Sequence, residues 1–79
     1  MKATVHYYAI LRDKRGVDSE TFETSASTPS ELWEEMDSTR PFGVDRANFA
    51  VAVDDAFASW DDPLRDGCQV VFLPPVSGG

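Results

Sequence analysis

The residues that could do chemistry in this 79-residue chain gather at one place, Leu73-Pro74-Pro75-Val76-Ser77-Gly78-Gly79. Proline donates no backbone N–H, so Pro74 and Pro75 cannot extend a sheet ladder. They favour an extended, polyproline-like course that leads the chain away from the globule. Gly78 and Gly79 carry no Cβ, so the last two units are thin enough for a narrow channel. The group at the tip is a carboxylate on an unhindered carbon. A stiff base, a slim tip and a free carboxylate suit a terminus presented to another protein's active site. A diglycine end alone is weak evidence, because many termini are idle. The full run, directly after an apolar strand, is far more specific.

No rival constellation exists elsewhere in the sequence. His6 is the only histidine, and one histidine in an alternating strand is more often a surface residue than a base. Cys68 has no obvious activating neighbour and reads as a residue near the start of a strand. Asp54-Asp55 and Asp61-Asp62 could hold a hard cation weakly, but tandem acids in turns are commonly just solvated. A metal cluster needs several ligands at matched spacing, and none is seen, so no metal is expected. There is no glycine-rich phosphate loop. Trp33 and Trp60 read as packing residues rather than a ligand box. The chain is therefore expected to be no enzyme and to bind no cofactor.

The elements that must position the tail are set by periodicity. Ala3–Ala9 alternates, with Val5, Tyr7 and Ala9 on one face and Thr4, His6 and Tyr8 on the other, so a strand is expected. Residues 10–15 read as a polar turn or single helical turn closed by Gly16. Ser19–Thr24 is a polar strand, suited to a sheet edge, with Phe22 facing in. Thr28-Pro29-Ser30-Glu31 is the clearest helix start: a capping threonine, proline at the first position and a capping-box glutamate. Leu32 and Met36 lie one turn apart with Trp33 beside them, giving one packing face. The helix should end by Arg40, because Pro41 disfavours helix before it. Phe49–Val53 is a strand, Asp54-Asp55 its turn, and Ala56–Ser59 a short return strand. Gln69–Leu73 is almost continuously apolar, which predicts a central strand buried on both faces.

The order β-β-α-β-β-β, with an opening hairpin and a central last strand, points to an α+β fold. The arrangement is a mixed sheet with one main helix on one face, the β-grasp or ubiquitin-like type. One domain spans residues 1–79, with 74–79 as a protruding tail.

Composition narrows the partners. Net charge is −7, from 14 acidic and 7 basic residues. That disfavours nucleic acid and anionic membranes, both of which need clustered Lys and Arg. A partner with a basic face fits better. Only Lys2 and Lys14 are lysines, and this acidic, lysine-poor balance would suit a salt-rich, halophile cytoplasm. Refolding at low and molar salt tests that. One cysteine permits no internal disulfide, so a reducing, cytoplasmic setting is expected. The N-terminus does not read as a signal peptide, and no apolar run is long enough to span a membrane.

Three stretches carry a family resemblance: Ala52-Val53-Asp54-Asp55, Pro63-Leu64-Arg65-Asp66-Gly67, and Val70-Val71-Phe72-Leu73-Pro74-Pro75-Val76-Ser77-Gly78-Gly79. With Val5-His6-Tyr7-Tyr8-Ala9-Ile10-Leu11-Arg12, they resemble the MoaD family, small ubiquitin-like sulfur carrier subunits of molybdopterin synthase. Residues 18–49 match only in the order of elements, and Cys68-Gln69 stands where an acidic pair often comes after Asp-Gly.

The resemblance implies that an E1-like enzyme adenylates the Gly79 carboxylate with ATP and that sulfur then gives a thiocarboxylate. The tail would enter the molybdopterin synthase large subunit and pass sulfur on for molybdenum cofactor biosynthesis. It also implies a partner interface at Tyr8, Phe57 and Leu73, with Arg12 nearby; Phe57 and Leu73 could equally be core residues. Small archaeal modifier proteins resemble the same family and join a diglycine end to target-protein lysines, so protein conjugation is the alternative. Carriers for thiamin, cysteine or tRNA thiolation are a further one. A plain binding module, whose tail is incidental, is the last.

Overall fold

The computed structural model describes residues 1–74. Strand β1 (Lys2–His6) leads into helix α1 (Ala9–Arg15), strand β2 (Ser19–Glu23) and helix α2 (Pro29–Thr39). A single 3-10 turn (Arg46–Asn48) precedes strands β3 (Ala50–Val53), β4 (Ala56–Ala58) and β5 (Cys68–Leu73). The five strands form one mixed sheet in the order β2-β1-β5-β3-β4. β1 and β5 run parallel at its centre, and the other pairings are antiparallel. This is the expected β-grasp arrangement, with polar β2 at one edge and the strand before the tail in the middle. Among the described residues, no helix is long and apolar enough to cross a membrane.

Helix α2 starts as its sequence requires. The Thr28 hydroxyl accepts from the Glu31 N–H at 3.2 Å, and the Glu31 carboxylate accepts from the Ser27 N–H at 2.7 Å. Pro29 occupies the first turn, and the chain turns extended at Arg40. The C-terminal carbonyls need donors, and no basic residue of α2 supplies them. Arg15 does so from α1. Its guanidinium donates to the Arg40 carbonyl at 2.9 Å and the Met36 carbonyl at 3.4 Å, and stacks 4.1 Å from the Phe42 ring centroid. A 7 % exposed arginine is tolerable because its charge meets carbonyl dipoles and an aromatic face.

Leu32, Trp33 and Met36 bring α2 onto the sheet, where Ala3, Val5, Cys68, Val70, Phe72 and Val51 are buried. Trp33 is the hub. Its ring lies 4.4 Å from Phe42, 5.0 Å from Phe72, 5.5 Å from Phe49 and 5.7 Å from Trp60, centroid to centroid. Both tryptophans thus pack rather than line a ligand box. Phe22 on β2 is half-buried against the same core.

Three expectations need correction. β1 does not reach Ala9: the strand stops at His6, and Ala9, at φ 51°, turns the chain into a helix of seven residues rather than one turn. Phe49 precedes β3 instead of starting it, because it closes the 3-10 turn. Most informative is β5. It is central but buried on one face only, alternating from Cys68 inward to Gln69 outward and on to half-buried Val71 and Leu73. A continuous apolar run predicts two covering layers, and the helix layer supplies one. The apolar residues on the other face lie open.

Candidate functional site

That uncovered face is built by strand register. His6 pairs with Ser19 on one side and Val71 on the other; Val71 pairs with Ala52, and Ala52 with Phe57. Paired residues share a face, so Ser19, His6, Val71, Ala52 and Phe57 make one row across the open side. One step nearer the chain's end, Leu73 pairs with Ala50 in the same face. Phe57 is 81 % exposed and Tyr8 53 %, whereas Val71 and Leu73 are half-buried. The Phe57 ring is thus left almost wholly in water, in the row it shares with Ala52 and Val71. The core alternative for Phe57 is thereby excluded.

The expected interface residues are partly brought together. Tyr8 shares one shallow depression with His6, Asp55, Gln69 and Val71, and a second with His6, Tyr7, Arg12 and Asp18. Tyr8 thus links the open face to Arg12. Arg12 is held by Asp18, Nε to Oδ1 at 2.7 Å, in an exposed ion pair worth at most about 1 kcal/mol. His6 Nε2 and Gln69 Oε1 are 2.6 Å apart. Val71, Ala52 and Ala50 were not singled out from sequence, although strand parity opposite the buried Val70 and Val51 would have found them.

β5 carries this face to the root of the tail. Pro74 is half-buried and lines an apolar groove of about 390 Å³ with Ala9, Ile10, Val44, Asn48 and Phe49. β1 leaves β5 at His6 and Val71, so Phe72 and Leu73 pair only with β3. The tail root therefore leaves the sheet with one side open. Pro75, Val76, Ser77, Gly78 and Gly79 lie outside the described residues.

Burial raises the Cys68 thiol above its ordinary value, so it is a poor nucleophile. Burial also raises the Tyr7 phenol, helped by its 2.7 Å hydrogen bond to the Glu20 carboxylate. Among the described residues, no group of three or more His, Cys, Asp or Glu could hold a metal ion.

Comparison with known proteins gives a consistent picture. The ThiS family matches residues 5–79. The molybdopterin synthase sulfur carrier subunit of Escherichia coli (strain K12) is 30% identical over 78 residues, covering 95% of this chain and 96% of that protein. A solved structure from Pyrococcus furiosus, described as a putative molybdopterin converting factor subunit 1, superposes with a TM-score of 0.79 at 31% identity. It covers 96% of this chain and 99% of its own. The crystal structure of SAMP1 from Haloferax volcanii gives a TM-score of 0.81 at 17% identity over the whole of both chains, a likeness of fold alone.

Proposed function

This chain belongs to the ThiS/MoaD family, and from that premise we propose that it is a non-catalytic, ubiquitin-like sulfur carrier for molybdopterin synthesis, with Gly79 as its reactive end. The Gly79 carboxylate attacks the α-phosphate of ATP on an E1-like enzyme, giving an acyl-adenylate and releasing pyrophosphate. A sulfur donor then displaces AMP to leave a thiocarboxylate. In the molybdopterin synthase large subunit the thiocarboxylate gives its sulfur to the pterin precursor, and water restores the carboxylate. A free carboxylate is a poor acyl donor, and adenylation supplies the leaving group. Delivery inside a partner's dry site protects the sulfur from loss to solvent.

One observation carries this reading: the open face of Tyr8, Val71, Ala52, Leu73 and Phe57 includes two residues, Val71 and Leu73, of β5, the strand that leads to the tail. A partner that covers the face also receives the residues beyond Pro74. The domain then acts as a handle and the terminus as a reactant. This matches a domain whose cysteine is buried. Tyr8, Phe57 and Leu73 would make the contact, with Arg12 at its rim.

The test is to incubate the protein with the E1-like enzyme of its own genome, ATP and a sulfur donor, and to record intact mass. An adenylate, then a mass gain of sulfur replacing oxygen at Gly79, is expected. Removal of Gly78 and Gly79 should abolish both products without changing the melting curve. Products that persist in the truncated protein would overturn the assignment. In native-host protein, Gly-Gly remnants on target lysines in place of the thiocarboxylate would instead show protein conjugation.

A further inference from the structure

The outer edge of β4 offers a further docking element that shares Phe57 with the open face but does not use the tail or its chemistry. Among the described residues β4 has one neighbour, β3, and joins it through Asp54-Asp55, both at positive φ, 51° and 70°. A two-residue loop with both residues left-handed is a type I′ hairpin, and its closing pair is hydrogen-bonded. Val53 and Ala56 are that pair. Bonding alternates along an antiparallel ladder, so Ala56 and Ala58 turn their N–H and C=O toward β3. Phe57 turns its own outward. The next outward residue, Ser59, is already satisfied: its N–H donates to Asp62 Oδ2 at 2.8 Å and its carbonyl accepts from the Asp62 N–H at 3.1 Å. The edge is thus closed at one end and open at Phe57.

The two faces of this edge differ. On the open face stands the Phe57 ring. On the helix side, Val53, Ala56, Ala58 and Pro63 line a trough of about 370 Å³. Asp54, Asp62, Arg65 and Phe57 itself complete its lining, so the trough runs up to the edge at Phe57; Asp54 and Arg65 are 3.7 Å apart. A strand laid against Phe57 would send alternate side chains to the ring and to the trough. Exposed acids, Asp54-Asp55 and Asp61-Asp62, bracket β4 at both ends. Short, charged edges resist pairing with copies of themselves, and here four carboxylates would face four more. The same charges favour a strand with cationic ends.

We infer that β4 accepts, as an added strand at Phe57, a short extended segment of a partner protein with apolar alternating residues flanked by Lys or Arg. The trough takes the residues on either side of the one opposite Phe57, and the acids hold the flanks. Only two backbone bonds are on offer, so the association is weak and salt-sensitive.

The experiment uses the full chain, isotopically labelled, titrated to about 1 mM with a peptide of two lysines, valine-tyrosine-valine and two lysines. Amide shifts should centre on Ala56, Phe57 and Ala58, and exchange of the Phe57 amide should slow in the complex. The same peptide with glutamate for lysine should not bind. Asp55→Lys with Asp61→Lys, whose side chains make no hydrogen bond or ion pair in the described structure, should weaken the lysine peptide about tenfold. Shifts confined to Tyr8, Val71 and Leu73, equal binding of the glutamate peptide, or an unslowed Phe57 amide would each overturn the proposal. So would a concentration-dependent dimer that forms through β4.

Discussion

Phe57→Ala separates docking from folding. In the free domain the ring is 81 % exposed, so roughly a fifth of a ~200 Å² side chain, about 40 Å², is covered. At ~25 cal/mol per Å², its loss costs the fold at most about 1 kcal/mol. For a domain of this size that lowers the melting temperature by about 4–8 °C at most. The remaining ~160 Å² is available to a partner, with an upper bound near 4 kcal/mol on the same scale. Interfacial aromatics that act as anchors commonly cost ~2–4 kcal/mol on truncation, or about 30-fold to several hundredfold in affinity. The assay is calorimetric titration against the E1-like enzyme and the molybdopterin synthase large subunit of the same genome, beside a thermal melt. A large loss of affinity with a small change in melting is expected. Unchanged affinity for both partners, or a melting temperature lowered by more than about 10 °C, would refute the reasoning that this ring is held out for contact.

Arg15→Met keeps the aliphatic contact with Phe42 but removes the donor to the Arg40 carbonyl, while the Met36 carbonyl keeps the Arg40 N–H; chemical denaturation should show a loss of about 1–3 kcal/mol, partly recovered in Arg15→Lys. Asp55→Gly should stabilise by about 0.5 kcal/mol in the same measurement, because glycine relieves a left-handed residue whose side chain makes no hydrogen bond in the described structure. Cys68 and Tyr7 are both held protonated by burial. Their contribution is complete below the unfolded-state values, about 8.5 and 10. It declines as pH rises through the folded-state values, because the unfolded chain releases protons that the folded chain keeps. Urea midpoints should therefore fall between about pH 8 and 11, and less steeply in Tyr7→Phe.

Local signals in the chain were enough for its local structure. Thr28, Pro29 and Glu31 satisfy orphan N–H groups within one turn, so the start of α2 was legible without any partner. Asp54-Asp55 marked the hairpin turn, since Asp tolerates left-handed backbone better than most residues. The apolar run before Pro74 announced the central strand, and the polarity of Ser19–Glu23 announced an edge. The tail itself, as a proposed reactant, was readable only as sequence.

Tertiary structure decided which of the apolar residues are covered. Alternation says that two faces differ; it does not say how many layers the chain will place against them. One helix layer buries Val70 and Phe72 and leaves Val71, Leu73 and Phe57 facing outward. Arg15 looked like a charge in a surface turn, and it is buried because the end of α2 arrives above it and brings the Arg40 carbonyl within its reach. Ala9 matched the strand alternation, yet the chain turns there because α1 must pack Leu11 and Arg15 inward. Each of these outcomes depends on residues distant in sequence meeting in space, and periodicity within one segment carries no record of them.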